Sequence, residues 1–370
     1  MIYCKFNSLM FNKILALLLG TLLLNGCQSA FGPNALQNTH PAYNQAIAQS
    51  LNEQMLLNLV RLRYRDRPYY LRVGSVTASL AFDSNIGIGS ELDLGPGGNI
   101  IQPNLGIGYS DKPTLSFQPL QGEDFLKSVL SSISFDALLV MTQSGWSIER
   151  VFGLCVERIN DAFNAPSASG PTPAMEPEFR NFKKAMKLMR ELQLSHGIEI
   201  GPDENNRLNI LFKATAENRT KIAELSNFLG FQKPQHEQTL LIRLDNNFLN
   251  TDRNVLKIRP RSIVSVLFYL SQQVDIPNQH IEAGLVNVTQ RRAGGPFNWG
   301  ETPAGEFFRI RFSEDYPDSA FLTVPYRGHW FYIADNDLES KSTFMLLSQL
   351  FNLQAGQSRY TGPTLTLPVR

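Results

Sequence analysis

The chain has 370 residues, 43% of them apolar, which is ample for packed cores at a length that fits two domains. Its 34 basic and 33 acidic residues nearly cancel. That balance speaks against nucleic acid or a strongly charged substrate as the partner.

Lys5 and Lys13 give the N-terminus positive charge, and Ile14–Leu24 follows as an apolar run broken only by Gly20 and Thr21. The run is too short for a membrane-spanning helix of roughly 20 residues and suits the core of a secretory signal. It ends in Leu24-Asn25-Gly26-Cys27, which matches the lipobox of bacterial lipoproteins. The expectation is a signal peptide over residues 1–26, cut between Gly26 and Cys27. The Cys27 thiol then takes the lipid, and residues 27–40 form a lipidated tether. Gln28 in place of Asp after the cysteine favours the outer membrane, with the chain on its periplasmic face. At ~0.8 kcal/mol per buried methylene, several acyl chains make a permanent anchor. Loss of Lys5 and Lys13 takes the basic count from 34 to 32, against 33 acidic residues. Cys4 leaves with the signal and Cys27 is acylated, so Cys155 is left without a disulfide partner.

Pro41–Arg65 reads as a helix with Ala48, Leu51, Met55, Leu59 and Leu62 on one stripe, stopped before Pro68. Tyr69–Phe82 alternates as a strand, with Val76, Ala78, Leu80 and Phe82 set against Ser75, Thr77, Ser79 and Ala81. Gly87–Gly98 is glycine-rich, and alternation returns over Asn104–Ser110 through Leu105, Ile107 and Tyr109. A strand is expected at Thr114–Phe117, a helix at Gly122–Ser132, a strand at Ala137–Thr142 and a helix at Ser147–Asn164. In that last helix Cys155 shares a stripe with Ile148, Val151, Ile159 and Phe163, the place of a small buried hydrophobe rather than a catalytic thiol. Asn164–Glu178 is rich in Pro, Ala, Ser and Gly and has no periodicity. It reads as a linker between an N-terminal domain, 41–163, and a C-terminal domain, 179–370.

The C-terminal part is expected to hold helices at Glu178–Leu192, Glu217–Leu229, Pro260–Val274 and Leu338–Leu353, Pro260 being pre-set for a first helical turn. Its strands are expected at Gly197–Gly201, Asn206–Ala214, Gln238–Leu244, Phe307–Phe312, Ala320–Tyr326 and His329–Ala334. Strands and helices mix without regular alternation. This predicts an α+β fold, with mixed α/β modules in two lobes behind the lipidated N-terminus.

Three stretches are candidates for function. Arg61, Arg63, Arg65, Arg67 and Arg72 fall within twelve residues, together with Tyr64, Tyr69 and Tyr70. Such a cluster suits phosphate or lipid headgroups at a membrane surface. It equally suits a helix C-terminus, whose dipole arginines complement. Arg63 sits on a different helix face from Arg61 and Arg65, so a single concave anion site is not expected. The second stretch is the pair of small-residue strands Gly74–Phe82 and Asn104–Ser110. Their alternation fits barrel strands donated by several copies to a pore, and fits a half-buried hairpin of a soluble sheet as well. The third is Tyr326–Lys341, where Tyr326, Arg327, His329 and Trp330 can line a ligand groove. Asp335, Asp337 and Glu339 at alternate positions have the look of a calcium loop, but Ser340 stands where its glycine belongs. Helix capping accounts for them better. His40, His196, His236, His280 and His329 fit no metal-ligand spacing, and neither nucleophile elbow, P-loop nor dinucleotide fingerprint occurs. No metal or other cofactor is expected.

Asn52-Glu53-Gln54-Met55-Leu56-Leu57-Asn58-Leu59-Val60-Arg61-Leu62-Arg63-Tyr64-Arg65-Asp66 resembles the N-terminal signature of an uncharacterised group of proteobacterial lipoproteins. The resemblance runs on through Pro113-Thr114, Gly122-Glu123-Asp124-Phe125, Gly145-Trp146, Arg261-Ser262, the Tyr326–Lys341 segment and Pro363–Pro368. It implies a lipoprotein whose two halves form one unit, and it carries no catalytic residues. The strand–helix–strand pieces expected at Thr114–Thr142 and Gly197–Phe231 suit small α/β modules that pack side by side in rings. The functional expectation is a non-enzymatic outer-membrane lipoprotein, a structural or assembly component of an envelope complex such as a secretion apparatus. Its partners would be the outer membrane through lipid, other envelope proteins and further copies of itself. The alternatives are an oligomeric pore-forming lipoprotein using the 74–110 hairpin, and a periplasmic ligand-binding protein or hydrolase.

Overall fold

The computed structural model describes residues 33–77, 80–91, 100–111, 114–205, 207–252, 254–355 and 365–368. Gly26 and Cys27 lie outside the described residues. The chain divides into two compact units, Met1–Leu51 and Asn52–Arg370. Helix α1 (Pro33–Arg63) starts in the first, earlier than the expected Pro41, and ends in the second. Within the second unit Met55, Leu56, Leu59, Val60 and Leu62 of this helix are buried.

Four strands follow: β1 (Leu71–Thr77), β2 (Leu80–Glu91), β3 (Ile100–Asp111) and β4 (Thr114–Pro119). β1 pairs antiparallel with β4, and β2 with β3. From Ser75 onward the paired residue numbers add to 191 in both ladders, so one register serves both. It slips by one residue between Val73 and Ser75, which leaves Gly74 as a bulge in β1. The expected strand Tyr69–Phe82 is thus the start of a longer hairpin.

Three short helices come next, α2 (Glu123–Leu130), α3 (Phe135–Gln143) and α4 (Ile148–Cys155). α3 corrects the strand expected at Ala137–Thr142. Ser134 caps it by accepting from the Ala137 amide at 3.1 Å, and Ala137, Leu138 and Met141 are buried at helical spacing. A short apolar run fits either structure, and here the cap decides. It also removes the strand–helix–strand piece expected at Thr114–Thr142. The helix expected to run to Asn164 stops at Cys155 and continues as β5 (Val156–Ile159) and β6 (Ala162–Phe163). The pairing of Ile159 with Ile258, far along the chain, overrides local helical spacing there. Cys155 is fully buried as expected, and burial pushes its thiol up to about 12.

The remaining strands of the central sheet are β7 (Ile198–Pro202), β8 (Leu208–Ala214), β9 (Gln238–Asp245) and β10 (Val255–Pro260), in the order β6-β5-β10-β9-β8-β7. Helices α5 (Arg180–Leu194) and α6 (Arg219–Leu229) bury Phe182, Met186, Met189, Ile222 and Leu225. β9 and β10 run parallel despite a short connection. Asp245, Asn247, Asn250 and Asp252 each accept from the amide two residues on, a run of side-chain turns that folds the connection tightly. Pro260 is the last residue of β10 rather than the first of a helix. The next helix, α7 (Ile263–Ser271), is capped by Ser262, which accepts from the Ser265 amide at 3.2 Å. Then follow α8 (Asn278–Glu282), α9 (Pro303–Phe307), β11 (Arg311–Ser313), β12 (Ala320–Tyr326), β13 (His329–Ala334), α10 (Leu338–Ala355) and β14 (Leu365–Pro368). β11, β13 and β12 make a small antiparallel sheet, and the strand expected at Phe307–Phe312 shrinks to β11. β14 returns to pair with β4. The fold is α+β.

Asn164–Glu178 is not a linker, and the two-lobe expectation gives way to one unit over Asn52–Arg370. β5 before the segment and β10 after it are neighbours in one sheet. Asn164, Ala165 and Ala168 are fully buried, with a short 3-10 turn at Pro166–Ser169. The buried Arg261 guanidinium donates to the carbonyls of Leu154 (3.3 Å), Val156 (3.0 Å), Asn164 and Ala165 (3.3 Å), and its Nε donates to Ser169 Oγ at 3.3 Å. Its plane lies 4.1 Å from the Tyr269 ring centroid, and the Tyr269 hydroxyl donates to Asn164 Oδ1 at 3.0 Å. Small residues allow this close approach, and they are also what made the stretch look like a linker.

Arg261→Ala removes a donor from each of those buried carbonyls, of which Val156 keeps the Asn164 side-chain amide at 2.7 Å, at roughly 1–3 kcal/mol for each group left unsatisfied before relaxation. A loss of about 3–5 kcal/mol is expected from urea unfolding, with a smaller loss for Arg261→Lys, which keeps the charge but not the fork. Cys155 supplies a second readout. It should react with a thiol reagent only as the chain unfolds, and Arg261→Ala should bring that reaction to lower urea.

Candidate functional site

The last turn of α1 ends in a left-handed residue, Arg65, at φ 60°. The Asp66 amide donates back to the Arg61 carbonyl at 2.9 Å, and the Arg65 amide to that of Leu62 at 3.1 Å, which closes the helix as a glycine would. A second left-handed pair, Arg327 and Gly328 at φ 49° and 82°, forms the two-residue turn between β12 and β13, where Tyr326 pairs with His329. These two turns bring the two nominated stretches together. Asp66 Oδ2 accepts from Arg327 Nη2 at 3.0 Å and from the Tyr326 hydroxyl. The Arg327 guanidinium stacks 5.2 Å from the Tyr64 ring centroid. The Tyr64 hydroxyl meets His280 Nδ1 at 2.6 Å, and the His280 ring lies edge-on to His329 at 4.8 Å.

Electrostatics follow from this packing. The Tyr326 hydroxyl, then the Arg327 guanidinium, hold the Asp66 carboxyl below its usual range. Hydrogen bonds to Tyr326 and Asp66 raise Arg327 in turn. Burial pushes Tyr64 up to about 12 and lowers His280, and the neighbouring His329 ring and Arg327 guanidinium lower His280 further. A neutral imidazole accepting from the Tyr64 hydroxyl fits that environment. The cluster is a clasp between the end of α1, α8 and the β12–β13 turn.

The nominated residues scatter beyond it. Trp330 alternates to the other face of β13 from His329 and packs against Tyr316, so the expected four-residue groove does not form. Arg61 stacks over Tyr69 at 4.6 Å and donates to the Arg67 carbonyl at 3.0 Å. Buried Arg63 donates to Thr172 Oγ1 at 3.1 Å and to the Asn287 carbonyl at 3.0 Å, and burial lowers it to about 10. Arg65 donates to the Thr172 carbonyl at 3.2 Å, Arg67 is exposed, and Arg72 donates to Gln118 from β1 at 3.1 Å. Arg63 and Arg65 thus meet at Thr172, Arg61 and Arg72 brace other parts of the fold and Arg67 is exposed, so the five do not converge on one site. Asp337 accepts from the Ser340 amide at 3.0 Å and caps α10, while Asp335 pairs with Lys341 and Glu339 with Arg150. Tyr64 belonged to the nominated arginine–tyrosine cluster, whereas Asp66 and His280 were absent from the nominated groups. Asp66 sits inside the arginine run, but nothing local points to His280, 216 positions from Tyr64.

One further feature is the root of the long hairpin. The Asn58 side chain donates to the Tyr69 carbonyl at 2.7 Å and accepts from its amide at 3.1 Å, as a neighbouring strand would. Gln54 accepts from the Leu71 amide at 2.9 Å. Tyr70 packs against Phe125 and Phe351. The hairpin is thereby fixed to α1 and to the core beneath it.

No family of known proteins, no curated protein and no solved structure matches this chain. No helix among the described residues is long and apolar enough to cross a membrane.

Two titrations test the clasp. His280 stays below its ordinary 6.5 in the fold, so as pH falls through that value the unfolded chain takes up its proton first and stability drops. The stability deficit of His280→Gln, measured by urea unfolding, should narrow between about pH 7.5 and about pH 5. A constant deficit would show that His280 is not held neutral. Asp66 lies below its ordinary 3.8, so its contribution is present above that value and is lost as pH falls through the folded value. Asp66→Asn should match wild type only in strong acid.

Proposed function

We propose that this chain is an outer-membrane lipoprotein, held at the periplasmic face by lipid on Cys27, that acts as a non-enzymatic assembly component of an envelope complex. The observation that carries this reading is the β2–β3 ribbon. Its two strands pair with each other and, among the described residues, with no third strand. Each open edge presents unpaired backbone donors and acceptors, a template for another chain. Such an arm, rooted in a compact core through Asn58 and Gln54, fits protein contacts better than turnover of a small molecule.

Two other features support it. Most of the polar groups suggestive of binding, Arg61, Arg63, Arg65, Arg72 and the Tyr326–Arg327 turn, are engaged in holding the fold together. The sequence α5-β7-β8-α6-β9 makes one antiparallel three-stranded layer with two helices, a small module of the kind that stacks in rings. The lipobox and the resemblance of residues 52–66 to lipoprotein sequences agree with the location.

Changing Cys27→Ser should move the protein from the membrane fraction to an unprocessed or soluble form; unchanged fractionation would overturn the anchoring. Crosslinking in cells followed by pull-down from membranes should recover large assemblies containing other envelope proteins. Recovery of an uncrosslinked monomer alone would overturn the assembly role.

A further inference from the structure

The register of β2–β3 sorts its residues onto two unlike faces. The paired numbers add to 191, an odd sum, so every even position of β2 stands opposite an odd position of β3. The large apolar residues of β2 fall at even numbers, and those of β3 at odd numbers apart from Ile100. Phe82 is therefore opposite Tyr109, Ile86 opposite Leu105, and Ile88 opposite Pro103. On the alternate face Asp83 is opposite Gly108, Asn85 opposite Gly106, and Gly87 opposite Asn104. The register thus pairs the large apolar residues of the two strands at one set of positions and the small and polar residues at the alternate set. A slip of a single residue would have set each apolar row against a polar one.

Length and edges point the same way. Each strand has 12 residues, about 40 Å at ~3.4 Å per residue. Tilted by the ~40° usual for outer-membrane strands, that length crosses the ~30 Å hydrocarbon core. The charged residues of the two strands are Asp83 and Glu91 on the polar row and Asp111 at a strand end. Pro103 withdraws one backbone donor from β3, and its other residues keep theirs. A lone hairpin is marginal in water, and in lipid an open edge is not tolerated. A second copy of the same hairpin satisfies one edge, and a ring of copies closes with none left open.

Resting on the reading of this chain as a lipid-anchored assembly subunit, we propose that the β2–β3 hairpins of several copies join edge to edge into a membrane-spanning β-barrel. The row of Phe82, Ile86 and Leu105 faces lipid, and the row of Asp83, Asn85 and Asn104 faces an aqueous lumen.

The test uses the full-length lipidated protein in phosphatidylethanolamine–phosphatidylglycerol vesicles, with Cys155→Ala as background. Single cysteines are introduced as Phe82→Cys, Ile86→Cys and Leu105→Cys, or as Asp83→Cys, Asn85→Cys and Asn104→Cys, and labelled with an environment-sensitive fluorophore. The first set should be quenched by a lipid-borne quencher, the second by iodide, and the protein should crosslink to itself as an oligomer that leaks a trapped dye. Ile86→Asp combined with Ile107→Asp should lower the inserted fraction roughly 30-fold or more, with thermal unfolding of the core unchanged. Equal iodide quenching of both sets, or vesicle-bound protein that remains monomeric, overturns the barrel. If that happens while envelope proteins are still captured in cells, the assembly role stands without it. If the barrel forms and no envelope protein is captured, the barrel stands and the wider assembly role falls.

Discussion

A single buried guanidinium organises the core. Arg261 is almost wholly shielded from water, and four of its five acceptors are main-chain carbonyls. A charge so placed costs several kcal/mol unless its donors are satisfied, so the positions of those carbonyls are constrained together. They come from the end of α4, the start of β5 and the segment after β6. Arg261 itself joins the last residue of β10 to the cap of α7, and its own amide donates to the Cys155 carbonyl at 2.7 Å. Two strands, two helices and a proline-rich turn thus meet at one side chain. Burial lowers the affinity of Arg261 for its proton, and the nearby Glu157 opposes that loss. Glu157 in turn accepts from Ser169 at 2.7 Å, which extends the network along the same turn.

This explains what could be read from the sequence and what could not. Helices α5, α6 and α10 carry long periodic stripes, and strands β12 and β13 alternate cleanly around a turn, so local pattern sufficed for each. α3 was misread because nine residues of mostly apolar character satisfy both periods, and only the Ser134 cap separates them. β10 went unseen because Lys257 and Arg259 interrupt its apolar residues, and its strand character comes from neighbours on both sides. The linker reading failed for a chemical reason. Pro, Ala, Ser and Gly serve a flexible connection and a tightly packed turn equally well, and the residue that decides, Arg261, lies 92 positions beyond Ser169.

The clasp shows the same limit at higher resolution. Arg65 and Arg327 both occupy left-handed backbone, a conformation that favours glycine, and neither residue advertises it in sequence. Each turn is needed for Asp66 to reach Arg327 and Tyr326 across 260 and more positions. The arginine run looked like a binding surface because a helix end, a left-handed turn and a strand entry follow one another within a few residues. Each transition uses an arginine to satisfy backbone or side-chain acceptors nearby. Density of charge in sequence therefore reported density of structural transitions.

The hairpin reverses that relation, because its sequence pattern was plain and its meaning depended on pairing. Alternation in each strand defines two rows per strand, yet only the odd-sum register unites the apolar rows on one face. That register is inherited from the root, where the bulge at Gly74 shifts it by one position. Without the bulge the root pairing, which adds to 190, would run on and mix the faces. β14 covers the outer edge of β4 at the root, while β1 forms the other edge of that three-stranded sheet. Anchored below by Asn58 and Gln54 and covered along its β4 edge at the base, the hairpin offers its pairing surfaces over the stretch that is amphipathic. One glycine bulge thus sets which residues of the arm share a face, and with it what kind of surface the arm presents.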